Sequence, residues 1–385
     1  MRVAFVHYWL VGMRGGEYVL EQFSELFPQA DIFTHVLDRS KISDTLARHQ
    51  IFETSVAKLP GAKKHYQKYL MFMPKALEEL DLRGYDLVIS SESGPAKGVI
   101  TRPDATHICY VHSPMRYIWD LYPEYRDGLS FPAKQVFSVT AHKLRQWDYA
   151  SAQRVDHVVA NSTFVAQRVK KFWNRPADIL NPPVDLSRFA PNGTPEDYYL
   201  FVSELVPYKR ADLAIDAFRE LGTKLRIVGS GSELKQLQAN APDNVEFLGR
   251  VPNQELNTLY ANCRALIFPG EEDFGIVPLE AMASGRPVIA YGKGGILDTV
   301  VPGKTGLFFH EQSPAALVAA VKQFEAEMIT RFDPPDIARH AQHFSPQAFQ
   351  DKMWAILERE AKLSVPGERR QVVQVHKASL SLIHI

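Results

Sequence analysis

Cysteine is scarce in this chain, and several other features are missing altogether. Only Cys109 and Cys263 occur among the 385 residues, so neither a disulfide framework nor a zinc-binding spacing can be built from them. This scarcity fits a reducing compartment. The formal net charge is zero, which gives no indication of a nucleic-acid-binding protein. No uninterrupted apolar run reaches about eighteen residues, and we therefore predict no transmembrane helix.

The first residues also lack the marks of a secretory leader. The segment MRVAFVHYWLV has one early arginine and no small-residue cleavage site, which favours a first strand over a signal peptide. Together with the scarce cysteine, this predicts a cytoplasmic protein. The length is sufficient for two domains that each bury a core.

Short apolar runs alternate with longer helical patterns along the whole chain. Strands separated by helices imply crossover connections and parallel sheets. The predicted strands are 3–7, 31–36, 87–91, 107–112 and 157–161 in the first half, and 199–203, 225–228, 245–248, 265–268 and 288–291 in the second. The fold class is therefore α/β, with two Rossmann-like domains at 1–181 and 198–345. Residues 181–197 are rich in Pro, Asn, Gly and Asp and form the predicted boundary.

The end of the chain divides into a helix and a tail. Residues 346–361 place Phe349, Met353, Trp354 and Leu357 at helical spacing, which predicts an amphipathic helix. Residues 362–385 alternate apolar and polar residues without an obvious partner, so both disorder and an added edge strand remain open for the tail.

The segment FPGEEDFGIVPLEAMASGRPVIAYGKGG, residues 268–295, carries the strongest functional signal. Pro278 suits the first turn of a helix, and Gly285 suits its left-handed end. We therefore expect Glu272 in a loop and Glu280 in the first helical turn. Such a helix start attracts anions, whereas a nearby carboxylate would rather bind hydroxyls. The combination indicates a sugar joined to a diphosphate; the plain alternative is a loop and a surface helix with ordinary acids.

Two polar turns follow strands in the first half. Gly15 and Gly16 lie between the first strand and a helical pattern, where the backbone can approach a phosphate or sugar closely. His112 lies at the carboxyl end of a predicted strand, where ligands bind in open α/β sheets. The alternatives are a tight turn with packing glycines and a structural histidine.

A second set of turns follows strands in the second half. Lys209 and Arg210 come shortly after a predicted strand, and two adjacent cations suit a diphosphate. The alternative is a solvated Lys-Arg pair at a helix start. The glycines at 229, 231 and 249 follow two further strands and are weak signals by themselves.

These motifs resemble those of the retaining glycosyltransferases of family 4. Glu272 and Glu280 have the family's spacing of seven intervening residues, with Asp273 where the family usually has glycine. The resemblance covers about residues 1–360 and is strongest over 198–305. It implies a GT-B fold, in which two Rossmann-like domains with parallel sheets face each other across a cleft and the last helix crosses back onto the N-terminal domain.

The resemblance also implies site residues. His112, Glu272 and Lys209 match catalytic positions, and Arg116 and Trp119 would bind the acceptor. The family's Gly-Arg pair is Ser203-Glu204 here, so Arg210 would supply the missing positive charge. The implied donor-binding residues are Gly15, Gly16, Ser203, Arg210, Gly229, Gly231, Arg250, Val251, Phe274, Gly275, Ile276, Val277 and Glu280. No metal site or cofactor is implied.

Residues 59–82 mix cations with large apolar residues. Lys63, Lys64 and Lys68 stand beside aromatic residues and methionines, a composition that suits a membrane interface. This segment predicts peripheral association with the inner face of the plasma membrane, with Lys63 and Lys64 near a lipid-linked glycan acceptor. A surface loop followed by a core helix is the open alternative.

The strings YVHSPMRYIWD and LVPYKRADLAIDAF resemble mannosyl- and rhamnosyl-type enzymes of bacterial surface polysaccharide assembly, such as that of lipopolysaccharide or exopolysaccharide. The resemblance implies metal-independent transfer of a hexose, mannose from GDP-mannose, to a glycan hydroxyl with retention of configuration. Two alternatives stay open. One is a UDP-sugar enzyme, either a glucosyl or N-acetylglucosaminyl transferase or an epimerase. The other, motivated by Glu204, is a nucleotide-sugar-binding partner without catalysis.

Overall fold

The computed structural model describes residues 1–328 and 331–362, and for residues 327 and 328 it describes the backbone alone. The chain divides into two compact units. The first comprises Met1–Pro183 together with the described chain from Gln347 onward, and the second comprises Val184–Pro346. Except for residue 362, the tail for which disorder or an edge strand was considered lies outside the described residues.

The first unit contains a seven-stranded parallel sheet in the order β3-β2-β1-β4-β5-β6-β7. Its central strands are buried along almost their whole length, as expected when helices cover both faces of a parallel sheet. They are mainly apolar except at the end of β4, which reads Ser90, Ser91 and Glu92. The strands are β1 Val3–His7, β2 Asp31–Thr34, β3 Ile51–Glu53, β4 Leu87–Glu92, β5 Thr106–Val111, β6 His157–Ala160 and β7 Asp178–Ile179.

Seven helices surround this sheet before the chain leaves the first unit. Several begin at a residue that favours the start of a helix: Ser162 caps one by accepting from the Val165 N–H at 3.1 Å, and Pro132 lies in the first turn of the longest. The helices are α1 Gly15–Leu26, α2 Asp44–Ala47, α3 Ala62–His65, α4 Met73–Glu78, α5 Tyr122–Asp127, α6 Phe131–Ala152 and α7 Thr163–Trp173.

The second unit contains a six-stranded parallel sheet in the order β10-β9-β8-β11-β12-β13. Two buried clusters pack on its faces. The strands are β8 Tyr199–Val202, β9 Leu225–Val228, β10 Val245–Gly249, β11 Leu266–Phe268, β12 Val288–Tyr291 and β13 Gly306–Phe309. The helices are α8 Ala211–Leu221, α9 Leu234–Ala239, α10 Asn253–Asn262, α11 Ile276–Ala283, α12 Pro314–Gln323 and α13 Pro334–Ala341.

The last helix, α14 Pro346–Glu360, packs on the first unit. Its apolar face joins the cluster that contains Phe5 and Phe23. The Gln350 side chain also donates to Glu25 at 2.7 Å. The buried face includes the four residues whose helical spacing the sequence shows, Phe349, Met353, Trp354 and Leu357, together with Gln350 and Ile356.

The predicted strands agree with the structure within one or two residues at each end. β1, β9 and β12 have the predicted bounds. Three strands were missed: β3 and β7 at the two edges of the first sheet, and β13 at one edge of the second. Edge strands of two to four residues carry too little alternation to be distinguished from loops. Among the described residues, no helix is long and apolar enough to cross a membrane.

Both sheets have a position where the strand order reverses direction. In the first sheet β1 lies between β2 and β4, and in the second β8 lies between β9 and β11. The carboxyl ends of strands beside such a switch point are where open α/β sheets bind ligands. Lys209 and Glu272 follow β8 and β11, and His112 follows β5, the strand next to β4.

Candidate functional site

The second unit brings two of the predicted catalytic residues together. Lys209 closes the short 3₁₀ turn that follows β8, and Glu272 lies in the loop that follows β11, the neighbouring strand. The Lys209 Nζ and the Glu272 Oε1 form an ion pair, and both side chains are partly exposed. The turn packs tightly on the β11 loop, because a Cβ on Gly270 would lie 3.0 Å from the Tyr208 carbonyl oxygen.

A glycine pair holds the Glu272 loop from the other side. Gly294 has φ +84°, and a Cβ there would lie 2.5 Å from the Glu272 carbonyl oxygen. Gly295 N–H donates to that same oxygen at 2.8 Å. Only glycine combines this left-handed backbone with so close an approach. The pair therefore fixes the backbone that presents the Glu272 carboxylate.

Glu280 lies deeper in the unit than Glu272 does. It accepts from Arg188 at 2.7 Å and from the Tyr260 hydroxyl at 2.8 Å. Burial raises the pKa of Glu280, although Tyr260 and Arg188 oppose the shift. The expected position in the first helical turn was wrong: α11 begins at Ile276, so Glu280 falls in the second turn. The helix begins earlier than Pro278 indicates because proline is accepted throughout a first turn, where no intrahelical N–H bond is lost.

A cavity of about 400 Å³ gathers five of the predicted donor-binding residues in the second unit. Its wall is largely apolar, with one guanidinium. Arg250 is held there, because its Nε donates to the Ser230 hydroxyl at 2.8 Å. The lining comprises Val202, Ser203, Glu204, Val228, Gly229, Ser230, Arg250, Val251 and Val277. Glu204, which replaces the family's arginine, is thus part of this lining.

The remaining donor-binding predictions in the second unit lie around the same strand ends. Gly231 packs against the Leu205 carbonyl, where a Cβ would lie 2.2 Å from the oxygen. Gly275 precedes α11 with φ +95°, and Phe274 is buried in the core. Ile276, in the first turn of α11, is partly buried against that core.

Arg210 already has a partner. Its Nε lies 3.0 Å and its Nη2 3.1 Å from the two carboxylate oxygens of Asp212. Arg210 also has φ +56° at the start of α8. Asp212 is exposed, and exposed ion pairs are weak. A diphosphate could therefore replace this carboxylate at small cost.

In the first unit, His112 follows β5 at the switch point of the sheet. Its Nε2 lies 2.8 Å from the Ser91 hydroxyl at the end of β4. Its ring meets Tyr8 and Tyr110 edge-on. Burial, with a smaller contribution from His7, lowers the pKa of His112 to about 3. The imidazole is therefore neutral at physiological pH and acts as a hydrogen-bonding group without charge.

The glycine turn packs directly on these rings. A Cβ on Gly16 would lie 2.2 Å from the Tyr8 hydroxyl oxygen and 3.5 Å from His112 Nε2. Gly15 and Gly16 open α1. The predicted donor-binding glycines and the predicted catalytic histidine are therefore neighbours, and the side chain that separates them is Tyr8.

His7, Tyr8 and Glu17 were missed in the sequence. The Glu17 Oε1 lies 3.6 Å from the His7 Nε2, and its Oε2 accepts from the Arg14 N–H at 3.0 Å. Burial of Glu17 opposes its ionisation, but His7 and the backbone amides outweigh it and hold the pKa below its usual range. Their position could have indicated a site role, because His7 ends β1 in the same way that His112 follows β5.

A buried charged cluster behind β4 was also missed. Lys97 is fully buried between the carboxylates of Glu92, at 3.1 Å, and Asp148. Burial of Lys97 disfavours its charge, but the two carboxylates outweigh it and raise its pKa. Because Glu92 and Asp148 are 56 positions apart in the sequence, no local pattern marks the cluster.

This cluster reaches one of the predicted acceptor-binding residues. Trp119 donates its indole N–H to the Asp148 Oδ2 at 2.7 Å and stacks on Phe172 at 4.9 Å. Its polar atom is therefore used within the protein, and the acceptor role of Trp119 stays a prediction. Arg116, the other predicted acceptor residue, is partly buried three residues earlier.

The basic segment has a mixed character. Lys63 and Lys64 lie exposed on α3. A 3₁₀ helix, Tyr66–Phe72, follows. Tyr66, Tyr69 and Leu70 pack against a buried cluster, whereas Met71 and Phe72 are exposed.

Two family models match the chain, and together they span residues 13–340. The model described as Glycosyltransferase Family 4 matches residues 13–188. The model described as Glycosyl transferases group 1 matches residues 186–340. Their boundary falls close to the boundary between the two compact units.

Two mycobacterial relatives are similar to parts of this chain. A GDP-mannose-dependent alpha-mannosyltransferase of Mycolicibacterium smegmatis is 34% identical over 52% of this chain and 57% of its own length. A GDP-mannose-dependent alpha-(1-6)-phosphatidylinositol monomannoside mannosyltransferase of the same species is 35% identical over 38% of this chain and 47% of its own. The chain spans about half the length of the curated relatives it matches.

The fold itself recurs in a solved structure. Anabaena Alr3699/HepE in complex with UDP is 16% identical, with a TM-score of 0.65 over 93% of this chain and 100% of that one. This similarity shows the fold, which is GT-B, as the sequence predicted. With two family models along most of its length, the chain belongs to family 4 of the glycosyltransferases.

Proposed function

We propose that this protein transfers a hexose, mannose from GDP-mannose, to a hydroxyl group of a lipid-linked glycan, with retention of the anomeric configuration. The observation that carries the proposal is the ion pair between Lys209 and Glu272 at the strand ends of the second unit. These residues are 63 positions apart in the sequence, and the parallel order of β8 and β11 brings them together.

The pair suits the charges that develop during transfer. Breaking the sugar–phosphate bond builds positive charge on the sugar and negative charge on the leaving diphosphate. Lys209 would leave Glu272 and bind the diphosphate. Arg210 would likewise leave the exposed Asp212 and bind the diphosphate. Cations aimed at a developing anion are among the largest contributions to catalysis. Glu272, released from Lys209, would then accept hydrogen bonds from sugar hydroxyls.

The proposed stereochemistry follows from the roles of the two carboxylates. A double displacement needs a carboxylate free to attack the anomeric carbon. Glu280 is engaged by Arg188 and Tyr260, and we assign it to the nucleotide ribose. We therefore propose attack from the same face as the leaving group, with the departing phosphate taking the acceptor proton. Positive charge from Lys209 and Arg210 would serve without a metal ion.

The donor and acceptor proposals are supported by the relatives. Two are named as GDP-mannose-dependent mannosyltransferases, and one of them acts on a phosphatidylinositol mannoside. We propose the same donor class here and an acceptor carried on a lipid, used in assembly of a bacterial surface polysaccharide. The protein would then work in the cytoplasm as a peripheral protein on the inner face of the membrane.

A panel of nucleotide sugars tests the donor. The purified protein is incubated with GDP-mannose, UDP-glucose or UDP-N-acetylglucosamine and a lipid extract, and the products are analysed by mass and by the anomeric coupling of the new linkage. We expect transfer from GDP-mannose, with retention, in the presence of a metal chelator. Turnover of UDP-sugars alone would refute the donor, and donor binding without any transfer would support a non-catalytic partner.

The acceptor needs a separate experiment. The lipid-linked glycan that accumulates in cells lacking this protein is isolated and identified by mass. We expect it to serve as the acceptor for the purified protein and to gain one hexose. Failure of that glycan to accept any sugar would refute the acceptor class while leaving the donor result intact.

A further inference from the structure

The exposed face of α6 is apolar in its first half. Phe131 is 76% exposed, Val136 64% and Val139 56%, and the opposite face of the helix packs through Ala141 and Leu144. A surface helix normally carries polar residues on its outer face. Large apolar residues grouped on one exposed face indicate an interaction surface.

Acidic residues are missing from the helix itself over its first seventeen residues. No aspartate or glutamate occurs in residues 128–147. The same exposed face continues with His142 and Lys143. Asp127, just before this stretch, lies 3.4 Å from Arg126 and 3.8 Å from Lys134. Apolar residues in the first half of the face are thus followed by one exposed cation, Lys143, and by no exposed acid up to residue 147.

A neighbouring segment of the first unit repeats this combination. Met71 and Phe72 are exposed at the end of the 3₁₀ helix that follows Lys63 and Lys64. The preceding residue, Leu70, packs against the cluster that contains Ala141 and Leu144 of α6. The two exposed apolar groups therefore belong to elements that pack on one buried cluster.

Apolar side chains beside cations are complementary to an anionic lipid surface, whose headgroups attract the cations while the apolar groups enter the acyl boundary. We propose that the first half of α6, with Met71 and Phe72, docks on an anionic bilayer. This inference deepens the proposed function, since it rests on a lipid-linked acceptor.

Vesicle binding tests the inference without sugar transfer. The full-length protein is floated with vesicles of phosphatidylglycerol and phosphatidylcholine or of phosphatidylcholine alone, with no nucleotide sugar present. The test variant is Phe131→Ser/Val136→Ser/Val139→Ser, which keeps the charge. Leu297→Ser, which removes one exposed apolar side chain from the second unit, is the matched control.

We expect the protein to bind anionic vesicles at least tenfold more than neutral ones, and the triple variant to lose about tenfold in partitioning. The Leu297→Ser variant should stay within about twofold of the original protein. Circular dichroism checks that the triple variant is folded, and serine is close to valine in helix propensity. Absence of binding to anionic vesicles, or a folded triple variant that binds like the original, would overturn the inference.

Sedimentation of the same proteins tests whether a second copy of the chain, rather than a bilayer, binds to this surface. Self-association that disappears in the triple variant would assign the surface to a second copy and would also overturn the proposal. If vesicle binding is lost as expected but no sugar donor is used, the proposed function fails and the docking surface stands. If sugar is transferred but no vesicles are bound, the proposed function stands and the docking surface is refuted.

Discussion

The strand ends of the first unit and those of the second unit carry different kinds of polar group. In the first, His112 is a neutral imidazole enclosed by Ser91, Tyr8 and the glycine turn. In the second, Lys209 is paired with Glu272, and both are partly exposed. Both sets lie at a switch point of a parallel sheet. The same topology therefore supports a neutral, enclosed imidazole in one unit and partly exposed, exchangeable ion pairs in the other.

The difference has a physical consequence. A neutral, desolvated group recognises a hydroxyl by hydrogen-bond geometry, and a charge of either sign would disturb it. A partly exposed ion pair costs little to open and gains much from a more highly charged ligand. We therefore expect the first unit to be sensitive to protonation and the second to the loss of single charges.

Acidification should destabilise the first unit most. Burial lowers the pKa of His107 to about 3 and, against the effect of the Pro95 carbonyl, that of His35 to about 4. The unfolded chain takes up these protons near pH 6.5, so it binds more protons than the folded chain between those values. Stability should fall as the pH drops through this window, by about 2 kcal/mol per histidine at about pH 5.

Tryptophan fluorescence isolates this effect, because all five tryptophans belong to the first unit. Urea unfolding followed by fluorescence at about pH 7 and pH 5 gives the pH dependence. Replacing His107 by Asn should remove about a third of the pH dependence, because His35 and His112 contribute as well. Replacing the exposed His343, which lies in the second unit, should leave this fluorescence transition unchanged. An unchanged slope in the His107 variant would show that this ring is not kept neutral by burial.

Removing either member of the ion pair in the second unit should reduce activity. Glu272→Ala and Lys209→Ala should each lower turnover at least tenfold, or about 1.4 kcal/mol. Both replacements remove a group assigned to the donor, so the double variant should lose less than the product of the single losses. Initial rates of hexose transfer at saturating donor give the comparison.

Lys293 provides a matched control for that pair. Its Nζ lies 3.0 Å from the Oε2 of Glu271, the residue before Glu272, and it is more exposed than Lys209. It reaches this loop from the end of β12, whereas Lys209 reaches it from the end of β8. Lys293→Ala removes one lysine and one ion pair but no group assigned to the donor. Its rate should stay within about twofold of the original. Equal losses in Lys293→Ala and Lys209→Ala would contradict the special role of Lys209.

The sequence could indicate that Lys209 and Glu272 belong to one site, because each follows a predicted strand and both match catalytic positions of the family. Their ion pair could not be predicted, because it depends on β8 and β11 being neighbours in the sheet. The buried cluster of Glu92, Lys97 and Asp148 could not be predicted. A buried charge is stable only when tertiary packing supplies its partners, and nothing local distinguishes Lys97 from a surface lysine.

The fold also contains elements that have a local sequence pattern and elements that depend on tertiary contacts. Central strands such as β1 and β12 are apolar on both faces and have the predicted bounds. The edge strands β3 and β7 depend on pairing with a neighbour rather than on their own pattern. The 59–82 segment was ambiguous for a related reason. Tyr66 and Phe72 look alike in sequence, and only the tertiary structure shows that Phe72 is the exposed one.

Two adjacent serines of β4 separate a role in the site from a role in stability. Ser91 lies 2.8 Å from the His112 Nε2, and Ser90 lies 2.8 Å from the Nε2 of the buried His107. Ser91→Ala should lower turnover about fivefold, because the imidazole loses the bond that orients it. Ser90→Ala should lower stability by about 1 kcal/mol and leave turnover unchanged. Transfer rates and urea unfolding, measured on both variants, decide the matter. Equal effects on turnover would refute a positioning role for Ser91.

The smallest expected effect concerns Glu280, which combines a feature of the first unit with a feature of the second. Glu280 is buried like the groups of the first unit, yet it is paired with a cation, Arg188, like those of the second. Arg188→Gln should raise the KM for the donor about threefold, because the carboxylate loses one of its two partners. Since burial already raises the pKa of Glu280 and Arg188 opposes that shift, the variant should carry more protonated carboxyl as the pH falls. Its deficit in donor binding should therefore be larger at about pH 5.5 than at about pH 8.

Arg219→Gln is the control for this prediction, because it opens an exposed ion pair with Asp216 in the same unit. It should change neither the KM for the donor nor its pH dependence. A deficit independent of pH in Arg188→Gln would mean that Arg188 supports the donor directly rather than through Glu280.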